Sequence, residues 1–394
     1  MPTMLHPPIA PWLRRGPQGC DVILLTTRPL QVWLRHLPDN EEELVAMAPD
    51  GTEGPGGRLH RLRAFLPWDQ GNRVTRYCFK ALCGAGQQWL AADRLHGSVP
   101  PEDAHFRINP SDTPPGWVRE QVFYQVFPDR FARGAAGPVQ LPPDIPGQRA
   151  NEARAWGAEV PLDRPTTVFY GGDLPGIEQR LGYLRDDLGA TALYLNPVFR
   201  SRSNHKYDTE DYFEVDPGFG GNAALQSLCA AAHDRGMKLL LDAVVNHTGA
   251  QHPWLAEAPH RYAADAQGRR VGWKGHASLP VLDYAQPDVR QAMFEGESSL
   301  MRHWMKPPYA IDGWRLDAVH MLGEGPGARN NAGLLAAMRR AVKAQNPQAY
   351  LVGEHFNEAA GWLQGEQEDG AMNYYGFAHP LRAWLAGVDL GGHP

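Results

Sequence analysis

The chain has 394 residues, 43% of them hydrophobic and 21% charged, and its 38 basic and 44 acidic residues leave a net charge of -6. This is the balance of an ordinary soluble globular protein of two to three domains, or fewer if one is a barrel, and no Lys/Arg stripe is present to neutralise phosphates, so nucleic acid is not an expected partner. No segment approaches a membrane span, and prolines interrupt MPTMLHPPIAPWLRR where a secretory peptide needs an apolar run, so a cytoplasmic location is expected.

Residues 1–112 carry short alternating runs at Cys20 to Thr26, Leu30 to Leu37, Val74 to Ala81 and Gln87 to Ala91. Pro/Gly clusters such as PDGTEGPGG separate them as turns, so the region reads as an antiparallel β-sandwich. Cys20, Cys78, Cys83 and Cys229 form no CxxC pair, which points to small buried thiols rather than disulfides or zinc. The Pro-rich link NPSDTPPGW follows.

From residue 113 onward the rhythm changes. Apolar strand-like runs at 122–127, 190–198, 237–247, 312–319, 349–356 and 371–377 alternate with amphipathic segments. The first helix starts at a cap, Asp173, has Ile177, Leu181, Leu184 and Leu188 at helical spacing, and stops at Gly189. A second begins at Asn222, carries Leu225, Leu228 and Ala232, and ends at Gly236. A third holds Leu334, Leu335, Met338 and Val342 and closes at Asn346-Pro347. Strand and helix in alternation imply a parallel sheet, and polar residues recur at the strand ends: Asn196, Asn246, His247, Arg315, Asp317, Glu354 and His355. That recurrence favours a (β/α)8 TIM-type barrel, whose strand ends converge on one mouth, over an open sheet.

Arg315 and Asp317 lie two apart in an otherwise apolar strand and so share a face. If Asp317 and Glu354 end neighbouring strands, two carboxylates meet across the mouth, the pairing that glycoside hydrolysis requires. A nearby arginine is expected to keep the nucleophile ionised.

The motifs DAVVNH (242–247), LPVLD (279–283), GWRLDAVH (313–320) and GEHF (353–356) resemble, in order, those of the α-amylase superfamily, glycoside hydrolase family 13. Longer stretches, FYQVFPDRFAR, FYGGDLPGI, NHKYDTEDYFEVDP, DGWRLDAVHMLGEGPGARNN and VGEHFNEAAGWLQ, resemble bacterial maltodextrin glucosidases in particular. The resemblance implies a retaining double displacement with Asp317 as nucleophile and Glu354 as acid/base, and Arg315 holding the nucleophile. It further implies that His247 and Tyr207 line the subsite of the cleaved sugar, that Asp242 buttresses Arg315, and that His320 lies where acceptor sugars pass. Residues 249–285 would form a small inserted domain walling the cleft, with Trp254 and Trp273 as candidates for sugar stacking. Asn246 and Asp208 are oxygen ligands for calcium in some relatives, yet neither a metal nor a cofactor is expected here.

The same resemblance calls for a third carboxylate on a seventh strand. The sequence stops at Gly391-Gly392-His393-Pro394 without the corresponding His-Asp pair. The chain is therefore expected to hold about six barrel strands and to be completed by a missing C-terminal segment or a second chain, with a homo-oligomer as an open option. The leading expectation is an α-glucosidic hydrolase releasing glucose from maltodextrins. The alternatives are a cyclomaltodextrinase or neopullulanase-like hydrolase, a transglycosylase, and an inactive glucan-binding fragment.

Overall fold

A computed structural model of the chain describes residues 4–8, 11–38, 41–70, 74–84, 86–108, 114–134, 136–163, 166–323, 331–359, 361–363 and 365–386. The start of the Pro-rich link, the stretch 324–330 of the DGWRLDAVHMLGEGPGARNN motif, and the last eight positions lie outside these residues. The chain divides into two compact units, Met1–Thr113 and Pro114–Pro394. Among the described residues no helix is long and apolar enough to cross a membrane.

The first unit is a β-sandwich. One antiparallel sheet runs Met4–Leu5, Gly19–Thr26, Leu59–Pro67, Ala48–Glu53, with Leu13–Arg15 also on Gly19–Thr26. The other runs Leu95–His96, Gly86–Leu90, Thr75–Cys83, Gln31–His36, Glu43–Ala46, with Phe106–Ile108 on Thr75–Cys83. Leu24 and Leu62 from the first sheet and Leu34, Tyr77 and Phe79 from the second belong to one buried cluster. His6 sits among the rings of Tyr77, Phe79 and Phe106. Its Nδ1 faces the Ile23 carbonyl at 2.8 Å and must donate, so Nε2 accepts from the Tyr77 hydroxyl at 2.8 Å. Burial lowers its pKa to about 4 and keeps it neutral. PDGTEGPGG is not wholly a turn. Its first half belongs to Ala48–Glu53, a mostly exposed strand whose pairing slips between Pro49 and Thr52, and only Pro55–Gly57 forms a helical turn.

The second unit is built on six parallel strands in sequential order: β1 (Phe123–Val126), β2 (Ala192–Leu195), β3 (Lys238–Ala243), β4 (Gly313–Leu316), β5 (Tyr350–Gly353) and β6 (Gly370–Ala371). Right-handed parallel connections need helices, and α1 (Leu174–Gln179), α2 (Gly221–Asp234) and α3 (Asn331–Gln345) supply them. Among the described residues this is an incomplete (β/α) barrel. Asp173 caps α1 by accepting from Gly176 N at 2.7 Å. Ile177, Leu181 and Leu184 are fully buried, whereas Leu188, expected on the same face, is 45% exposed because the backbone loosens into a wider turn over Tyr183–Asp187. Gly236 ends the α2 connection at φ +68°, a left-handed conformation that costs glycine little.

Alternation within the strands sets up everything that follows. Leu193, Leu195, Leu239, Leu241, Ala243, Trp314, Leu316 and Leu351 all join the buried core. The intervening residues Tyr194, Asp242 and Arg315 therefore share the opposite, inner face.

Candidate active site

Register brings the charged groups together. Asp242 pairs with Arg315 across β3 and β4, and Leu316 pairs with Gly353 across β4 and β5. One residue further along, Asp317 and Glu354 come level on adjacent strands. Their amides continue the ladder, Asp317 N to Ala243 O and Glu354 N to Leu316 O, each at 3.1 Å.

β4 ends at Leu316, so Ala318 is not in strand, contrary to the reading of GWRLDAVH as one run. Ala318 adopts φ +46°, unusual for a residue with a side chain, and this turn aims its amide at Glu354 Oε2, 3.0 Å away.

One guanidinium serves three carboxylates. Arg315 Nη1 lies 2.9 Å from Asp242 Oδ1 and 2.7 Å from Asp317 Oδ1, and Nη2 lies 2.5 Å from Glu354 Oε1. The Arg315 side chain is 3% exposed and that of Asp242 is wholly buried. Asp242 also accepts from the hydroxyls of Tyr194 and Tyr207, the latter at 2.9 Å. Burial, reinforced by the Asp242 charge, pushes both phenols well above their ordinary pKa, so both stay protonated as donors. Asn196 donates to the Tyr207 hydroxyl at 3.0 Å and accepts from Gln125 at 2.8 Å. Tyr194 and Gln125 were not picked out from the sequence, although Tyr194 sits two residues before Asn196 and must share its face.

The expectation that a neighbouring arginine keeps Asp317 ionised needs correction. Three carboxylates beside one cation would carry a net charge of about -2 if all were ionised, which a buried site resists. Burial first, then the Asp242 charge, push the Asp317 pKa up to about 8; Arg315 pulls it down and Glu354 adds to the rise. Asp242 too is raised by burial, against the pull of Arg315. The folded chain thus holds a proton at Asp317 more tightly than the unfolded chain does. Stability from this group is full below the ordinary carboxylate value of 3.8 and is lost as pH rises toward 8. In Asp242→Asn, which removes the neighbouring charge, the fall in melting temperature between about pH 5 and 8 should be shallower than in wild type. Parallel curves would refute this coupling.

A cavity of about 790 Å³ opens over the cluster, and Asp317, Glu354, Tyr207, His247, Trp273 and Phe356 are among its lining residues. Tyr207 is held there by its neighbours. Lys206, at φ +61°, buries its ammonium 2.6 Å from Asp216 Oδ2 between the rings of Phe169 and Phe219. His205 Nδ1 accepts from Tyr207 N at 3.1 Å. His247 is lowered to about 4 by burial, only partly offset by the Tyr207 backbone, so it is a neutral imidazole. Its Nε2 makes no well-formed hydrogen bond, and its ring tilts against Trp273 at 5.6 Å. Asp208 is engaged by the hydroxyls of Ser201 and Ser203, and Asn246 by His247.

Asp242, Arg315 and His320 are not among the residues that line the cavity. His320 Nδ1 is 3.4 Å from the Glu354 carbonyl, and its ring meets Phe356 edge-on at 5.5 Å. The segment 249–285 contributes Trp273 to the wall on a hairpin of Gly272–Trp273 and His276–Pro280. Trp254 is instead packed against Tyr212 and His252 and covered by Arg261.

Two acids and a cation at the strand ends beneath an open cavity define the site class of a carboxylate-based glycosidase. The α-amylase catalytic-domain model matches residues 125–269 and 273–387, and the chain belongs to that family. It is 37% identical over 358 residues to neopullulanase 2 of Thermoactinomyces vulgaris, covering 84% of this chain and 56% of that protein. To a cyclomaltodextrinase of Geobacillus thermopakistaniensis it is 37% identical over 276 residues, 66% of this chain and 42% of the relative. A solved cyclomaltodextrinase superposes with a TM-score of 0.64 at 27% identity, covering 94% of this chain and 64% of that one. The chain thus spans about half the length of the two relatives compared by sequence. These relatives carry cyclomaltodextrinase and neopullulanase names, which shifts the finer resemblance away from the maltodextrin glucosidases that the longer motifs suggested.

Proposed function

We propose that the polypeptide containing this chain is a retaining hydrolase of α-glucosidic bonds in cyclic or branched malto-oligosaccharides, of the cyclomaltodextrinase or neopullulanase kind. The observation that carries this reading is the convergence of Asp317 and Glu354, from adjacent parallel strands, on one guanidinium beneath one cavity. In the proposed reaction Asp317, once ionised, attacks the anomeric carbon and forms a glycosyl ester, while Glu354 gives its proton to the departing oxygen. Glu354 then takes a proton from water, which attacks the ester and frees the sugar and Asp317. Arg315 orients both carboxylates. The Tyr207 ring offers a stacking face and the His247 imidazole lies in the same wall, which suits an amphipathic ligand. Residues 249–285 serve as a small inserted domain whose hairpin carries Trp273 into the wall.

The names of the relatives favour ring or branch substrates over simple glucose release. Product analysis on β-cyclodextrin, pullulan and maltotriose tests this. Maltose from the ring and panose from pullulan are expected. Glucose from maltotriose with no ring opening would reverse the assignment in favour of a maltodextrin glucosidase.

A further inference from the structure

Behind Glu354 lies a buried acid that the reaction above leaves unused. Glu368 has no exposed side-chain surface, and its two oxygens lie 2.9 and 3.1 Å from Nε2 of His355, whose side chain is 2% exposed. His355 directly follows Glu354. The Glu368 carboxylate also fills the space over Gly353, the residue before Glu354, where a Cβ would come within 2.2 Å of Oε2. One acid therefore packs against both chain neighbours of Glu354. Burial raises the Glu368 pKa and His355 opposes the rise, as a partner matched to the carboxylate would.

The contact continues to the other acid. Trp362 stacks obliquely on the His355 ring at 4.7 Å and hydrogen-bonds Asn331 at 3.3 Å. Asn331 in turn reaches the Val319 carbonyl, also at 3.3 Å, in the turn that follows Asp317. A buried polar pair is costly unless both members are satisfied, and apolar side chains would fill the space at less expense. What the pair adds over apolar packing is direction, since a hydrogen-bonded imidazole has one orientation. Both oxygens of Glu354 are already engaged, Oε1 by Arg315 and Oε2 by the Ala318 amide, so where the carboxylate sits depends on the backbone that Gly353 and His355 hold on either side.

We propose that Glu368 is a positioning residue that acts through His355 to hold Glu354 where it can meet the glycosidic oxygen. This rests on the acid/base reading of Glu354. The test uses isothermal titration of the full chain with two probes: maltotriose, which reads the cavity as a whole, and acarbose, whose bridging nitrogen stands where the glycosidic oxygen would be and pairs with the acid/base carboxylate.

In Glu368→Leu, acarbose affinity should fall roughly tenfold while maltotriose affinity stays within about twofold. Glu368→Gln, which can still hydrogen-bond His355, should recover most of the loss, and Glu368→Met, which fills the same space without accepting from His355, should repeat the selective loss and covers the event that the leucine variant does not fold. Equal losses for both probes in the Leu or Met variant would mean a merely structural role, and no change in acarbose binding in either would mean none; both results overturn the proposal. Glu354→Gln separates the parent reading. If that variant keeps the wild-type preference for acarbose over maltotriose, Glu354 is not the group that meets the nitrogen, and the acid/base assignment fails rather than the positioning one. A wild-type chain binding neither probe would sink both.

Discussion

Asp317→Asn is expected to lower turnover of malto-oligosaccharides by at least about 10⁴-fold, while maltotriose binding stays within a few-fold of wild type. The amide keeps the shape of the carboxylate and can still accept from Arg315 Nη1, now 2.7 Å away, but it cannot form the ester. A loss of that size is about 5.4 kcal/mol of transition-state stabilisation, which no rearrangement of hydrogen bonds in the cluster would supply. Stability should not fall with activity, because the substitution puts a neutral amide in place of a carboxyl that the site already resists ionising. A 5-fluoro glycosyl fluoride gives a readout that does not depend on turnover, since its fluoride leaves without a proton and its electron-poor ring slows hydrolysis of the ester. Intact mass should rise by one glycosyl unit in wild type and the label should map to the peptide carrying Asp317. Label on another residue, or an Asn variant with more than about 1% of wild-type turnover, would remove Asp317 from the role.

Both the barrel and its carboxylates were legible in the sequence for one reason. In a parallel strand the outer face must be apolar to meet a helix, so a charge such as Arg315 between Trp314 and Leu316 has to point inward, and its level is fixed by neighbours on either side. The sequence showed which residues meet, but not how their charges divide. Whether Arg315 could hold Asp317 ionised depended on how many carboxylates shared it, and that count depends on the register of three strands at once. The final strand was misplaced for a local reason. AMNYYGF reads as strand, but the Asn373 side chain accepts from Gly376 N at 2.8 Å and turns Tyr374–Ala378 into a helical turn, leaving Gly370–Ala371 as the strand. The strand Leu59–Pro67 escaped notice because Arg61 and Arg63 follow a glycine cluster. Its alternation of buried Leu62, Ala64 and Leu66 with exposed Arg63 and Phe65 was nevertheless present to be read. Glu368 offered no such signal, since a lone glutamate fourteen residues past Glu354 looks like surface until the fold buries it.

Removal of the shared cation should be the most destabilising single change in the site. In Arg315→Met a side chain of similar length fills the space, so packing is largely kept and what is lost is charge. Asp242, Asp317 and Glu354, whose side chains are 0%, 10% and 13% exposed, then face one another with, among the described residues, the two tyrosine hydroxyls and the Ala318 amide as their remaining donors. Breaking a buried ion pair from one side typically costs about 3–5 kcal/mol, because the remaining charge is uncompensated, and a loss of that size near neutral pH is expected in denaturant titration. Its pH dependence identifies the cause. Without the downward pull of Arg315 the Asp317 carboxyl rises further above its ordinary value, so the folded variant holds protons still more tightly. The stability gap to wild type should then narrow as pH falls toward the ordinary carboxylate range and widen as it rises. Arg315→Lys should restore only part of the loss, since one ammonium cannot span the two directions that Nη1 and Nη2 serve. A gap that does not change with pH would trace the destabilisation to packing, and one below about 1 kcal/mol would place the cluster among ordinary surface pairs, leaving the electrostatic account of this site without its central element.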